Sequence, residues 1–416
     1  MNRRKPPSID VILLLVVGVP LVFQVDQVVG ALLILTIGSY AVLDTVAGSS
    51  LWAAPVPRLF NLKLTLVMLA IFLVVVLPTV SGIMMRKTTT PWQYIHDGAI
   101  QIEESIKYLL QGRNPYTEDY LATPLAQWEY VEEGIKENPA LYHNAYLPFI
   151  FLFSTPFYLI VTYVTGWYDQ RLVYLLLFVC TLRPLMKHAA KPRRKLSLLI
   201  VFGLNFFAAS YTPWGGNDGF VVFWLIVSTY LLQRDKITLS ALCVGLACAS
   251  KQTAWLFVPF FLTYVWSKAS PPRGLASLRK AYPLFIVPLL LILPFLLWDA
   301  ASFVDDTYLY LSGQAVSSYP IAGRGFGGLL LDLGLIRDKT DYFPFIFFQA
   351  AFCLPLLVFL LRTQLSANTV KRCWLGYGLL LLTFAFFFRF FSDWYLGTIV
   401  NAIALGYLSN DAGPGA

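Results

Sequence analysis

The sequence predicts an all-α polytopic membrane protein, and three observations predict it. The 416 residues are 57% hydrophobic and only 13% charged, against about a quarter charged in ordinary soluble domains. The apolar residues come in runs long enough to cross a hydrocarbon core, which takes roughly 20 residues per helix. The basic residues gather in short loops between those runs, the usual pattern of cytoplasmic loops.

Thirteen apolar runs are candidate helices: 9–25, 28–47, 62–83, 146–166, 170–186, 196–211, 217–233, 238–250, 253–267, 282–298, 344–362, 373–391 and 393–409. The start, MNRRKPPSIDVILLLVVGVPLVF, is basic and lacks a small-residue cleavage pattern. It therefore reads as a first membrane helix rather than a removed leader. NRRK puts this end in the cytoplasm, and Arg58 and Lys63 agree for the second loop. After three crossings, residues 84–145 face outside, and that segment is rich in Asp and Glu.

The loop charges also decide which runs cross. If 146–166 and 170–186 both did, KHAAKPRRK (187–195) would face outside with five Lys or Arg. QRDK (233–236), the 267–280 loop and the Arg362/Lys371/Arg372 loop would be inverted with it. One change repairs all of them. Residues 146–166 contain Pro148 and Pro156 and are expected to stay on the outer side, in the interface or re-entrant. About 12 transmembrane helices remain, with external juxtamembrane helices and with both termini cytoplasmic. The expected location is the plasma (inner) membrane.

The chain is expected to form a single membrane domain over 1–416. Residues 1–61 supply two extra N-terminal spans. Residues 62–300 form a central module with the external loop 84–166. Residues 301–416 hold a further external loop and the C-terminal spans. The runs 238–250 and 253–267 are each short for a span, and SKQ (250–252) joins them. Half-helices meeting in this way border binding cavities in membrane proteins.

The net charge of +8 belongs to the basic loops, and no basic patch interleaved with aromatics points to nucleic acid. The five cysteines sit in or beside apolar runs without metal-ligand spacing and read as small apolar residues.

The external stretch YIHDGAIQIEESIKYLLQGRNPYTEDY (94–120) is the exception in an oily chain. Ala99, Ile102, Ile106, Leu109 and Leu110 recur at helical spacing, beside a polar stripe of Asp97, Gln101, Glu104 and Tyr108. This predicts an amphipathic helix lying flat on the outer surface, with a Glu103–Lys107 pair and a stop at Gly112. By residue type alone, Asp97 suits an N-cap.

The order of motifs carries a resemblance. A helix opening with Asp97 ends in LLQGRNPY, then come HNAYLP before the non-crossing run, GGND before a helix, and GLACASKQTAWLFVPF. Together these resemble the GT-C superfamily of membrane glycosyltransferases, in its polyprenyl-phosphate-sugar-dependent, mannosyltransferase-like branch. HNAYLP stands where relatives carry a stricter HPPL or YPPL, and WGGNDGF where they often show GQ.N or an Arg–Asp pair.

The resemblance implies sugar transfer with inversion on the extracytoplasmic face. The donor is a polyprenyl-phosphate sugar, and the acceptor a glycolipid, growing glycan or protein. Asp97 matches the first-loop acid, the general base, with its pKa brought toward the working pH by partial burial. Glu104 could assist it. Lys251, in the half-helix position, and Arg389, near the outer end of a late span, could hold the carrier phosphate. An interfacial position of Arg389 beside Asp393 is the plainer alternative.

His96, His143, Asn217, Asp218 and Arg324 are further candidate substrate contacts. Asp218 also suits an N-cap, and Arg324 lies in a Gly-rich loop that could be mobile. Asp305 and Asp306 are adjacent, so their side chains are expected to diverge on a helix. No metal ligands are assigned, and no cofactor is certain, a divalent metal being left open. The sugar is open among mannose, arabinofuranose, glucose and amino sugars. The rival reading is a polytopic transporter or lipid-carrier flippase, which shares half-helices and buried charges but tends to show internal repeats.

Overall fold

The computed structural model describes residues 8–47, 56–132, 134–267 and 273–410. The basic N-terminal cluster, Glu133, part of the 267–280 loop and the last six residues lie outside the described residues. Each of the thirteen apolar runs forms a helix. Among the described residues, four helices are long and apolar enough to cross a membrane: Gln27–Ala47, Pro57–Thr88, Gly274–Trp298 and Phe345–Ser366. Shorter apolar helices include Ile9–Leu21, Phe149–Thr165, Asp218–Leu232 and Ile237–Cys248. The architecture is all-α, with a single two-residue parallel pairing of Ala322–Gly323 with Phe390–Phe391 among the described residues.

The first three helices are tied by charge. Lys63 donates to Asp10 at 2.8 Å and also pairs with Asp44. Tyr40 donates to the same Asp10 oxygen at 2.5 Å. Lys63, expected as a loop cation, is therefore a buried partner (4% exposed) in a helix that starts at Val56. A buried charge is costly unless paired, so this triad fixes how the N-terminal helices dock.

The segment expected to lie on the membrane surface lies inside the protein. Asp97–Leu110 is a helix, and Gln101, Glu103, Glu104 and Ser105 are buried along with Ala99, Ile102 and Ile106. Its polar stripe faces other protein rather than water. Ser105 meets Tyr120, and Gln101 donates to the carbonyls of Ala140 and His143 at 2.7 Å. The helix stops as predicted, with Gly112 at φ +74° just past the end. That conformation costs glycine little.

Both ends of the Phe149–Thr165 helix return to this buried helix. At its start Tyr146 packs on Gly98, while Phe149 N–H donates outside that helix, to Ala249 O at 3.0 Å. At its end Gly166 turns at φ +73°. The chain then runs back until Gln170 N–H reaches Glu103 Oε1 at 2.8 Å and its amide reaches Ser154 at 2.9 Å. Between these anchors the far half carries Ile160, Tyr163 and Val164 at 65%, 91% and 72% exposure, an apolar surface suited to lipid.

The half-helix pair is also present. Ile237–Cys248 ends, Ala249–Lys251 breaks the helix, a 3₁₀ turn covers Gln252–Phe257, and Val258–Ser267 resumes. The freed carbonyls find outside partners: Cys248 O takes Trp255 Nε1–H at 2.9 Å and Ala249 O takes Phe149 N–H. Broken helices need such partners in apolar surroundings.

Candidate functional site

One cavity of about 730 Å³ brings much of the predicted site together. Asp97, His96, Asn217, Asp218, Lys251 and Arg389 all line it. The lining is mixed, and these polar groups share it with Phe343, Phe345, Ile346, Phe384 and Phe388. Trp128, Trp214, Trp255 and Trp394 add flat aromatic faces.

Asp97 is the first helical residue and not the cap. The N-cap is His96, at φ −76° and ψ 144°. Asp97 Oδ1 accepts Gly98 N–H at 2.6 Å and lies 2.7 Å from His96 Nδ1, and Oδ2 accepts Asn138 Nδ2–H at 2.9 Å. Nδ1 cannot both donate to Asp97 and accept from Gly98. The carboxylate contact is shorter than the 3.1 Å to Gly98, so Nδ1–H donates to Asp97. Burial pushes the Asp97 carboxyl up, but the His96 charge and the hydrogen bonds from His96, Asn138 and Gly98 outweigh it. The net result is a carboxyl below its ordinary value. The expected rise toward neutrality is absent, because the donors favour the ionised form.

The His96 ring tilts over Trp394, with centroids 4.6 Å apart. Its backbone N–H donates to Trp214 O at 2.7 Å, joining the Asp97 helix to the WGGND turn. Two glycines permit the close approaches. A Cβ at Gly98 would overlap Tyr146 Oη, and one at Gly216 would overlap the Trp394 ring.

Lys251 sits in the break between the half-helices, in extended backbone. Its ammonium donates to Asp218 Oδ1 at 2.9 Å and Asn217 Oδ1 at 3.0 Å. Asp218, expected as a possible cap, is instead the first helical residue and the counter-ion of Lys251; the N-cap is Asn217.

Arg389 lines the cavity, but carbonyls hold its guanidinium. Nε goes to Tyr319 O, Nη1 to Asp341 O at 2.7 Å and Nη2 to Lys339 O at 3.0 Å. It fastens the 313–341 loop to the end of the Val370–Phe386 helix. This replaces the expected neighbour Asp393.

The remaining candidates lie elsewhere. Glu104 is outside the cavity lining and pairs with Lys107 at 2.6 Å, while Glu103, the expected partner of Lys107, goes to Arg86. Arg324 is exposed and does not line the cavity. Its Gly-rich loop packs tightly: a Cβ at Gly323 would overlap Phe391 O. His143 lies behind the cavity wall, stacked on Tyr310 at 4.6 Å. Its Nδ1 is 3.0 Å from Asp306 and 3.3 Å from Asp305, so these adjacent carboxylates converge rather than diverge. A π-helical turn, Asp305–Leu309, begins there. Burial lifts the Asp306 carboxyl to about 6, against the pull of His143 and Asn144.

The sequence reading missed the scaffold beneath Asp97. Arg86 donates to both oxygens of Glu103 at 2.8 and 2.7 Å and to Asp169 at 2.9 Å. Arg171 grips Asp169 at 2.9 and 2.7 Å and reaches Tyr94 O at 2.6 Å and Pro213 O at 3.1 Å. Two cations and two anions are neutralised out of water. Arg171 thereby fixes Tyr94, whose φ is +59°, three residues before Asp97. The available signal was charge at the ends of apolar runs. Asn138, the second partner of Asp97, lies 41 positions away and carries no local signal.

No protein-family model, curated protein or solved structure matches the chain.

Proposed function

We propose that this chain is a glycosyltransferase of the GT-C kind. It takes a sugar from a polyprenyl-phosphate donor and passes it, with inversion, to a lipid, glycan or protein acceptor. In this reading about twelve helices cross the plasma membrane, both termini are cytoplasmic and the cavity opens extracytoplasmically. The approach of both flanks of the Phe149–Thr165 helix to one buried helix, Tyr146 to Gly98 and Gln170 to Glu103, supports the non-crossing assignment on which that topology depends.

The observation that carries the reading is the cavity itself. A carboxylate and an ammonium, Asp97 and Lys251, share one chamber whose lining also includes four tryptophans and several phenylalanines. A sugar on a lipid phosphate has the matching parts: hydroxyls and ring faces, an anion and a hydrocarbon tail. Tryptophan faces suit sugar rings, and an ammonium suits a phosphate leaving group.

Asp97 takes the acceptor hydroxyl proton while the acceptor oxygen attacks the anomeric carbon. The bond from that carbon to the phosphate oxygen breaks, and Lys251 stabilises the charge left on the phosphate. Its neutralisation by Asp218 is partial compensation, because the ammonium has three N–H donors and two named partners. A carboxyl below its ordinary value is a weaker base but is fully ionised at neutral pH, so it orients as well as accepts.

The test uses purified wild type and Asp97→Asn, a panel of polyprenyl-phosphate sugars and membrane lipid extract. Wild type is expected to transfer one of the sugars. Asp97→Asn is expected to stay monodisperse, retain donor binding and lose transfer. Near wild-type transfer by Asp97→Asn removes Asp97 from the mechanism. Movement of the donor across vesicles without a new glycosidic bond points to the flippase instead.

A further inference from the structure

We infer that His143, Asp305 and Asp306 form a binding site for one divalent cation of the zinc or manganese class, behind the wall of the main cavity. The three ligand atoms lie within 4.8 Å of one another, with His143 Nδ1 at 3.0 and 3.3 Å from the two carboxylates. Ligands around a metal at about 2.1 Å stand about 3.0 Å apart in cis octahedral positions and about 3.4 Å apart in a tetrahedron. Both observed edges fit.

The plainer account is a hydrogen bond from His143 to Asp306. It satisfies Asp306 and leaves Asp305, whose side chain is partly open to water, without a share in the proton. Nδ1 carries at most one proton and cannot donate to both. A cation answers both carboxylates at once, using the imidazole lone pair.

Three independent features support a built site. The π-helical turn starting at Asp305 is a rare device concentrated at functional positions. Asp306 Oδ2 accepts Asn144 N–H at 2.8 Å, which orients that ligand as outer partners do in metal sites. An open cavity of about 640 Å³ leads to the cluster, lined by Glu118, Asp119, Asp305 and Asp306, with no Lys, Arg or His among its described lining residues. Glu118 is paired with Arg113, so the acidic approach for a cation comes from Asp119, Asp305 and Asp306, with Asp305 at its margin (39% exposed side chain). A mixed imidazole and carboxylate set suits zinc or manganese better than magnesium or calcium.

The ion would join the 139–145 segment to the helical segment 300–312. Thr307, Tyr308 and Tyr310 from that segment line the main cavity, and Tyr310 stacks on His143. The site would therefore set the position of one cavity wall. This inference stands apart from the sugar-transfer reading, since it concerns binding alone.

The test uses the full-length protein in detergent, stripped with EDTA and then equilibrated with Zn²⁺ or Mn²⁺. Wild type is expected to take up one equivalent of at least one of these ions and to unfold at a higher temperature when loaded. His143→Gln and Asp305→Asn are each expected to weaken that binding at least tenfold and to lose the thermal shift. Asp305→Asn changes a partly exposed side chain, so it keeps the test decisive if His143→Gln does not fold. The proposal is overturned if wild type retains less than half an equivalent with Zn²⁺ and also with Mn²⁺. It is equally overturned if a folded variant binds as wild type does.

Discussion

Two charged clusters flank the same helix and differ in one respect. Beneath Asp97–Leu110, the Arg86–Glu103–Asp169–Arg171 network is closed: forked guanidiniums meet both oxygens of each carboxylate, and all four residues are buried. At the helix start, Asp97, His96, Lys251 and Asp218 pair two by two around a chamber, and the His96 side chain stays 30% exposed. Paired cations and carboxylates make a scaffold where every charge is answered by protein. They make a candidate site where the pairing leaves room for a ligand.

The largest expected effect breaks the closed cluster. Arg86→Ala strands Glu103 in the interior, while Arg171 still holds Asp169, at a cost of about 3–5 kcal/mol. That is a large share of the total for a domain worth roughly 5–15 kcal/mol. Loss of monodisperse protein on size-exclusion chromatography measures it. Normal yield and unfolding temperature would show that the network is not structural.

Next comes the open cluster. Asp97→Asn is expected to lower transfer about 10²–10⁴-fold, with a stability cost of at most about 2 kcal/mol. Assays of initial rate beside thermal unfolding separate the two effects. Lys251→Met is expected to lower transfer about 10²-fold. Because it strands Asp218, the matching control is the double variant Lys251→Met/Asp218→Asn, expected to regain stability without regaining rate. Restored rate in the double variant would assign Lys251 a purely structural role.

A geometric contrast is smaller. Gly98→Ala forces Tyr146 aside, and overpacking of this kind costs about 1–3 kcal/mol. Adding Tyr146→Phe removes the clashing oxygen and is expected to recover most of that loss in thermal unfolding. Failure to recover would place the strain in the backbone instead.

The pH response separates Asp97 from a base tuned to neutrality. Its folded-state pKa lies below the ordinary carboxyl value of about 3.9. The stability it contributes is therefore present above that ordinary value and is lost as pH falls through the lower folded-state one. Transfer is expected to show no fall due to this carboxyl between pH 8 and 5, and a rate profile measures it. The smallest effect is Glu104→Gln. It removes only an i,i+3 pair with Lys107, so a change of about 0.5 kcal/mol or less and an unchanged rate are expected.

Some of this was written locally. The thirteen apolar runs became thirteen helices because burial of long apolar stretches and intrahelical hydrogen bonding are local demands. Gly112 could be read as a stop, and SKQ as a break, for the same reason. Asp97 and Lys251 could be singled out because charge near apolar segments is costly enough to need a purpose.

The tertiary structure decided what each charge meets. Sequence spacing offered Glu103 to Lys107, but packing delivered it to Arg86. Periodicity laid the Asp97 helix on a membrane surface, but later segments covered its polar face. Adjacent aspartates diverge along an ideal α-helix, yet a π-helical turn opposite His143 made them converge. Residue type and local periodicity determine helices and the cost of leaving a charge alone. The partner that answers the charge comes from 41 or 163 positions away, and only the folded chain brings it there.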